Sequence, residues 1–268
     1  MNFVCALLAE ASPIIDHLGL ERQRLSSPFA LFQNVNHKLV VSGLGKGNMS
    51  TAVGFLHGIA PEKNIPWLNL GIAGHGSAQV GSLLRVSKCI DLTTRKSFYS
   101  PQVAHCKTTK TILHTCDQPS SNYPENVAYD MEGSSFFETA SRFSPREMVE
   151  SVKIVSDNPE SPLSGFEKSK VSSLVSKVIL QIEPLILELD SMKRDLTPPE
   201  VLDRAFKEIS ANHRLSSTQV HQVQKFIRQA HVLQCPIPEI LALFKKSSNV
   251  KSVLSKIDQL LEERRLFS

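Results

Sequence analysis

Apolar residues in the first 160 positions form short runs that alternate with stretches of helical spacing. The runs are rich in β-branched residues, and each has the length of a strand. The predicted strands are Phe3 to Leu8, Lys38 to Ser42, Trp67 to Ile72, Leu83 to Val86 and Val152 to Val155. The predicted helices are Glu10 to Leu20, Asn48 to Ile59 and Met131 to Phe143. This alternation predicts an α/β domain with a largely buried sheet and helices on its faces.

From Ser164 onward the pattern changes to helical spacing without strand candidates. The predicted helices are Val171 to Leu189, Val201 to Ile209, Val220 to Leu233, Glu239 to Lys246 and Val250 to Leu266. Pro184 predicts a kink or break in the first of them. Thr197 and Ser217 are candidate N-caps, and Pro238 is a candidate first residue of a helix. The tail is therefore predicted to be a small helical bundle, packed on or tethered to the α/β domain.

The distribution of charge separates the same two parts of the chain. Residues 1–190 contain 17 Lys and Arg against 18 Asp and Glu, while residues 191–268 contain 13 against 8. The net charge of +4 therefore arises in the tail. We expect an α/β domain over 1–190 and a basic helical extension over 191–268. A basic helix can bind nucleic acid, but the tail has few aromatic residues and no recognition module. We expect a solvated basic face, with apolar positions packing on the α/β domain or forming a dimer contact.

The composition excludes several classes of protein. With 41% hydrophobic and 21% charged residues, the chain is an ordinary globular protein. About 18 consecutive apolar residues, the length of a membrane span, occur nowhere, and the N-terminus lacks the basic leader of a signal peptide. The five cysteines are odd in number and widely spaced, without a CxxC pair. We therefore expect a reduced, cytoplasmic protein without a membrane segment or metal site.

Two glycine-containing segments follow predicted strands. In residues 40–49, Gly43, Gly45 and Lys46 form a turn whose backbone N–H groups could approach an anion. Its spacing matches neither a dinucleotide-binding fingerprint nor a P-loop, and a turn without a ligand explains it equally well. In residues 69–76, small residues leave room for a ligand at the carboxyl edge of the sheet. His75 in this segment could be a ligand contact or a surface turn residue, and on its own the second is favoured.

Two acidic segments are further candidates for chemistry. Asp130 and Glu132 form a carboxylate pair where a helix is predicted to begin, although acidic residues are common in a first helical turn. The strand over 152–155 leads into Ser156 and Asp157, and aspartate at a strand end is often a turn or cap residue. Neither segment is decisive alone.

The order and spacing of these segments resemble the nucleoside phosphorylase superfamily. The matching features are a first strand followed by an acid, S-G-x-G-K, N-x-G-x-A-G followed by V-G, M-E-G and V-S-D, all within about residues 1–175. The match is closest to the branch of methylthioadenosine/adenosylhomocysteine nucleosidases and futalosine hydrolases. It implies a nucleoside-phosphorylase-like mixed sheet flanked by helices. It also implies cleavage of the N-glycosidic bond of purine nucleosides through an oxocarbenium-like transition state.

The resemblance assigns roles to individual residues. Asp157 matches the acid at purine N7, Ser156 is its neighbour, Glu132 matches the ribose-binding carboxylate, and Met131 the residue packed on the sugar. Gly43, Gly45 and Lys46 match the turn beside the site, and Gly71, Ala73 and Gly74 the turn that lines it. Lys153 replaces an arginine near the ribose, and Tyr123, in a loop predicted over residues 117–124, is a candidate for stacking on the base.

Several positions depart from the family pattern. The carboxylate that activates water in the nucleosidases matches Ala11, and Glu10 stands one place before it. Either a shifted turn lets Glu10 serve, or the hydrolytic base is missing. Asn69 stands where phosphorylases place a phosphate-binding arginine, and Ile72 replaces a serine. The interval from Ser100 to Met131 is too short for the family's usual helix, strand and base-stacking loop.

These departures leave two hypotheses. The first is a nucleosidase or phosphorylase, with hydrolysis slightly favoured over phosphorolysis. The second is a nucleoside-binding or interaction protein of the same fold that has lost turnover. By the resemblance we expect a small-molecule nucleoside as partner, no metal or organic cofactor, and phosphate only as co-substrate of a phosphorylase. We also expect a homo-oligomer, with a dimer favoured by analogy.

Overall fold

The computed structural model describes residues 1–62, 64–119, 122–162, 167–196 and 199–266. The chain forms two compact units, Met1–Leu196 and Thr197–Ser268. The division falls after residue 196, whereas the charge count placed it at 190, because the last helix of the first unit continues through the intervening residues.

The first unit consists of a sheet and four α-helices in the residues described. Its strands are β1 (Asn2–Cys5), β2 (Glu21–Arg22), β3 (Ala30–Gln33), β4 (Lys38–Val41), β5 (Trp67–His75), β6 (Leu83–Asp91), β7 (Ser97–Tyr99), β8 (Thr109–Thr115), β9 (Ala128–Asp130) and β10 (Val149–Asp157). Its helices are α1 (Leu8–Leu18), α2 (Lys46–Ile59), α3 (Gly133–Ala140) and α4 (Lys168–Leu196), with a 3₁₀ turn at Arg146–Met148.

The sheet is mixed, and part of it closes on itself. The strand order is β10-β6-β8-β9-β5-β1-β4-β3-β2, and β7 pairs with β6. Because β10 also pairs with β5, strands β5, β10, β6, β8 and β9 form a closed ring. Strands β4, β1, β5 and β10 are parallel neighbours in that order, whereas β6 runs antiparallel to β10. The expectation of a mixed sheet flanked by helices is confirmed.

Alternating side chains of the strands build a core on each face of the sheet. Phe3 on β1 belongs to the core that α1 and α4 cover, together with residues such as Val175 of α4. The next residue, Val4, belongs to the core on the other side, which includes Met49 of α2 and Phe136 of α3. This alternation explains why the strands appear in the sequence as continuous apolar runs.

The structure differs from the predicted strands in two respects. All five predicted strands are present, but β2, β3, β7, β8 and β9 were not predicted. Strands β8 and β9 lie in the interval after Ser100, and the described residues of this interval contain no helix. Strand β5 continues to His75, so Gly71, Ala73 and Gly74 lie within a strand and not in the expected turn.

The second unit has its own apolar core. Its helices are α5 (Glu200–Asn212), α6 (Ser217–Val232), α7 (Ile237–Lys245) and α8 (Val250–Leu266), and one cluster of their side chains is buried together. The N-cap of α6 is Ser216 and not Ser217, because the Ser216 hydroxyl accepts a hydrogen bond from the Gln219 N–H group at 3.3 Å. The expected cap Thr197 lies outside the described residues.

The predicted break at Pro184 is wrong. Helix α4 continues through it over 29 residues, with Leu185, Ile186 and Leu189 buried beyond the proline. Tertiary packing of this apolar stripe offsets the hydrogen bond that the proline removes. In the parts of the chain that the structure describes, no helix is both long enough and apolar enough to cross a membrane.

Candidate active site

A cavity of about 510 Å³ opens where the parallel strands β1, β5 and β10 end. Its volume lies within the range of about 300–1,000 Å³ that is typical of small-molecule sites. The described lining residues are Ala6, Leu7, Glu10, Leu44, Ile72, Ala73, Gly74, Cys116, Gln118, Pro119, Tyr123, Tyr129, Asp130, Met131, Glu132, Ser156 and Asp157. The cavity thus contains four carboxylates among mostly apolar and aromatic side chains.

Glu132 is held at the N-cap of α3 by a contact with the glycine turn before α2. Its Oε1 accepts a hydrogen bond from the Gly45 N–H group at 2.6 Å. Gly45 has a φ of +93°, which a residue with a side chain rarely adopts, so the turn requires glycine there. Burial, together with the neighbouring Asp130 charge, raises the pKa of Glu132 to about 7. The turn that resembled an anion-binding loop therefore binds a protein carboxylate.

Asp157 is the last residue of β10, just after an irregularity in its pairing with β5. The Ser156 hydroxyl donates a hydrogen bond to Asp157 Oδ1 at 2.5 Å, and the Tyr123 hydroxyl donates one to Oδ2. The Ser156 hydroxyl also lies 3.2 Å from the carbonyl oxygen of Ala73. Asp157 is thus buried at the cavity wall with both oxygens engaged.

Glu10 lies in the first turn of α1, and its carboxylate lines the cavity. Its Oε1 accepts from the Ile72 N–H group and its Oε2 from the Leu7 N–H group, each at 2.9 Å. The side chain is only 3% exposed, and burial raises its pKa. The Glu10 carboxylate therefore lies at the cavity, as the first of the two alternatives left open by the sequence requires.

Lys153 is buried and is not among the described residues that line the cavity, although its partner Asp130 is. Its Nζ forms an ion pair with Asp130 Oδ2 at 2.9 Å, and both side chains are almost fully buried. Burial alone would lower the pKa of Lys153, but the charges of Asp130, Glu132 and Glu10 raise it. A Cβ at Gly71 would lie 3.0 Å from Glu10 Oε1 and 3.5 Å from Lys153 Nζ, so glycine there leaves room for both side chains.

Lys46 and His75 are directed elsewhere. The Lys46 ammonium forms ion pairs with Asp91 and Asp117, at 2.7 and 2.6 Å. His75 is a buried residue of β5, and its Nδ1 accepts hydrogen bonds from the N–H groups of Ser77 and Ala78 at 3.0 and 2.9 Å. The expectation of a surface turn residue at His75 is wrong, because β5 continues to this position.

The other expected residues fall into two groups. Ala73, Gly74, Met131, Ser156 and Tyr123 line the cavity, whereas Gly43 and Gly45 support it from the turn before α2. Sequence reasoning missed Cys116, Gln118, Pro119 and Tyr129 as lining residues. Cys116 directly follows the unpredicted strand β8, and the pairing of β8 with β9 could have been found only by recognising that strand.

The mixed sheet flanked by helices, with a cavity at its carboxyl edge, is the arrangement that the sequence motifs implied. The fold is that of solved nucleosidase structures, at low sequence identity. Solved structures with this fold include a 5′-methylthioadenosine nucleosidase from Arabidopsis thaliana, with a TM-score of 0.57 and 16% identity over 70% of this chain and 94% of that one.

Two further solved structures come from Helicobacter pylori. A 5′-methylthioadenosine/S-adenosylhomocysteine nucleosidase gives a TM-score of 0.57 and 14% identity, covering 70% of this chain and 97% of that chain. A futalosine hydrolase mutant gives 0.55 and 13%, covering 70% and 98%. No protein-family model and no curated protein sequence matches the chain. The likeness therefore lies in the fold, at low sequence identity.

Proposed function

We propose that the chain hydrolyses the N-glycosidic bond of a purine nucleoside. The observation that carries this proposal is the placement of Glu10, Glu132 and Asp157 in one cavity, although they belong to three separate elements of the chain. Solved structures with the same fold are nucleosidases of methylthioadenosine and adenosylhomocysteine and a futalosine hydrolase. Their similarity supports the reaction class, and the cavity residues support the roles below.

Asp157 and Glu132 would act on the two halves of the substrate. Asp157 would donate a proton to N7 of the leaving base, since a protonated purine is the better leaving group. Glu132 would accept hydrogen bonds from the ribose hydroxyls and stabilise the positive charge that develops on the sugar. Met131, which also lines the cavity, would pack against the sugar.

Glu10 would activate the attacking water. The water oxygen forms a bond to the anomeric carbon, its proton passes to Glu10, and the bond to the base nitrogen breaks. Burial raises the pKa of Glu10, which makes its carboxylate a stronger base than an exposed glutamate. Its hydrogen bonds from Ile72 and Leu7 hold the side chain in one position.

The surroundings of Asn69 favour hydrolysis over phosphorolysis. Asn69 occupies the position at which the phosphorylases place an arginine for phosphate. Its side chain is buried in the sheet, where it donates to the Val4 carbonyl oxygen at 3.1 Å and accepts from the Ser151 hydroxyl at 3.0 Å. A neutral amide engaged with its neighbours supplies no positive charge for phosphate.

The test is release of free base from methylthioadenosine, adenosylhomocysteine, inosine and futalosine-like nucleosides, each with and without phosphate. We expect phosphate-independent release from at least one purine nucleoside. Asp157→Asn should lower kcat by about 10²–10⁴-fold, the usual contribution of a general acid. Glu10→Gln should lower kcat while still binding the nucleoside.

The matched control is Asp16→Asn, the same exchange at an exposed position of α1, which should leave the rate unchanged. If release of the free base requires phosphate, the chain is a phosphorylase and not a hydrolase. If nucleosides raise the melting temperature but no base is released, the chain is a binding protein of this fold. If no nucleoside shifts the melting temperature at millimolar concentration, the cavity is not a nucleoside site.

A further inference from the structure

The hydroxyl of Tyr123 occupies a place next to the proposed acid. It donates a hydrogen bond to Asp157 Oδ2 and lies against the backbone of Gly74, where a Cβ would overlap it. Tyr123, Gly74 and Asp157 all line the cavity. A planar base that approaches this edge of Asp157 therefore meets the tyrosine hydroxyl first.

Neighbouring groups hold the tyrosine ring in this position. Its centroid lies 5.2 Å from that of Tyr129, with the two rings tilted by 35°. The Tyr129 hydroxyl in turn accepts a hydrogen bond from the Glu125 N–H group at 3.2 Å. The ring thus packs on the protein, whereas the resemblance suggested that it stacks on a base.

The contact competes with the substrate for the acid. Both oxygens of Asp157 already accept hydrogen bonds, Oδ1 from Ser156 and Oδ2 from Tyr123, so a base that binds Asp157 has to compete with one of them. A general acid has to carry a proton and direct it at the substrate. One of the two hydroxyl groups must therefore move away from Asp157 when a base binds. Since the Ser156 hydroxyl belongs to β10 itself, the Tyr123 hydroxyl is the one that moves.

We propose that Tyr123 is a positioning residue whose hydroxyl covers the N7-binding edge of Asp157 and is displaced by the purine base. This inference rests on the proposed function, since it assigns N7 as the group that replaces the phenol. With the phenol displaced, Asp157 takes up a proton from a hydronium ion of the solvent, which leaves water, and transfers it to N7 as the glycosidic bond breaks. Removing the hydroxyl while keeping the ring then removes a competitor of the base.

The first test is adenine binding, measured by calorimetry. Tyr123→Phe should bind adenine about 3- to 10-fold more tightly, because the base no longer displaces a hydrogen bond of about 1 kcal/mol. In turnover KM should fall by a similar factor. Tyr99→Phe is the control, since Tyr99 is exposed on β7, and it should bind as the wild type does. Unchanged affinity in Tyr123→Phe overturns the proposal, as does a loss of base release as large as that of Asp157→Asn.

The second test needs no ligand. Burial and the Asp157 carboxylate raise the pKa of Tyr123, with a smaller effect of Cys116. Asp157→Asn should therefore let Tyr123 form tyrosinate at a lower pH, seen in the ultraviolet absorbance, while Asp16→Asn should not. An unchanged titration shows that the phenol and the carboxylate do not interact, and the proposal fails. If this shift is found but no base is released, the contact is real and the proposed function is wrong.

Discussion

Replacing Lys153 by methionine tests the charge balance next to the cavity. The Lys153 ammonium and the Asp130 carboxylate lie 2.9 Å apart, with side chains 2% and 1% exposed. Removing one partner of a buried ion pair leaves the other charge without compensation, at a cost of about 3–5 kcal/mol. Asp130 keeps hydrogen bonds from Thr115 and Gly133, so we expect a value near the lower end of this range.

Lys96 provides a matched control for this exchange. Its ammonium lies 2.9 Å from Glu138, but the two side chains are 58% and 41% exposed. An exposed pair contributes about 0–1 kcal/mol, so Lys96→Met should have little effect on stability. The two variants thus remove ion pairs of equal length that differ in burial.

The assay is urea unfolding at pH 8 followed by the fluorescence of Trp67. This is the single tryptophan of the chain, and it is fully buried in the first unit. The cost of Lys153→Met should shrink toward pH 5, because the pKa values of Glu10 and Glu132 are raised and these groups can take up protons. Equal costs for the two variants at pH 8 would refute the argument from burial.

Three further expectations concern stability. The pKa of Glu132 rises from 4.5 to about 7 on folding, so the free energy of unfolding of the wild type falls as the pH rises from 4.5 to 7. Glu132→Gln should therefore be more stable than the wild type at pH 8, by at most about 3 kcal/mol. At pH 4 this difference should be absent. Gly54→Ala in α2 should raise the free energy of unfolding by about 0.5–1 kcal/mol. Gly76→Ala should lower it, because its Cβ would overlap the Glu125 carbonyl oxygen. Urea unfolding in which both variants change stability in the same direction would contradict this. A chain ending at residue 190 should unfold at a lower urea concentration than one ending at 196, as seen by Trp67 fluorescence, because it lacks the ion pair between Lys193 and Glu62.

Apolar periodicity was sufficient for the strands that build the two cores, but not for those at the margins. Strand β2 has two exposed residues, and β7 is mostly exposed, so neither forms an apolar run. Strand β8 alternates between buried and exposed positions only in part. Such strands are stabilised by their pairing with neighbours, which depends on tertiary structure and is not visible in local sequence.

The positions of residues at strand ends were predicted better than the directions of the long lysine side chains. Asp157 and Ser156 end a strand whose apolar run is clear, so their position at the carboxyl edge followed directly. Lysine side chains are long, and their direction depends on which charges lie within reach after folding. Lys46 forms ion pairs with Asp91 and Asp117, and Lys153 forms one with Asp130. Neither side chain therefore faces the cavity as the resemblance implied.

The offset of Glu10 illustrates why matching by sequence alone left the hydrolytic base undecided. Successive residues of a helix point about 100° apart, so a shift of one place normally moves a side chain off the site. In this chain Ala11 is fully buried in the apolar core together with Phe3 and Ile14. A glutamate at position 11 would lie among those apolar side chains, whereas position 10 faces the cavity and the N–H groups of Leu7 and Ile72. The phase of α1 relative to the sheet therefore makes residue 10 the position at which a carboxylate can reach the cavity.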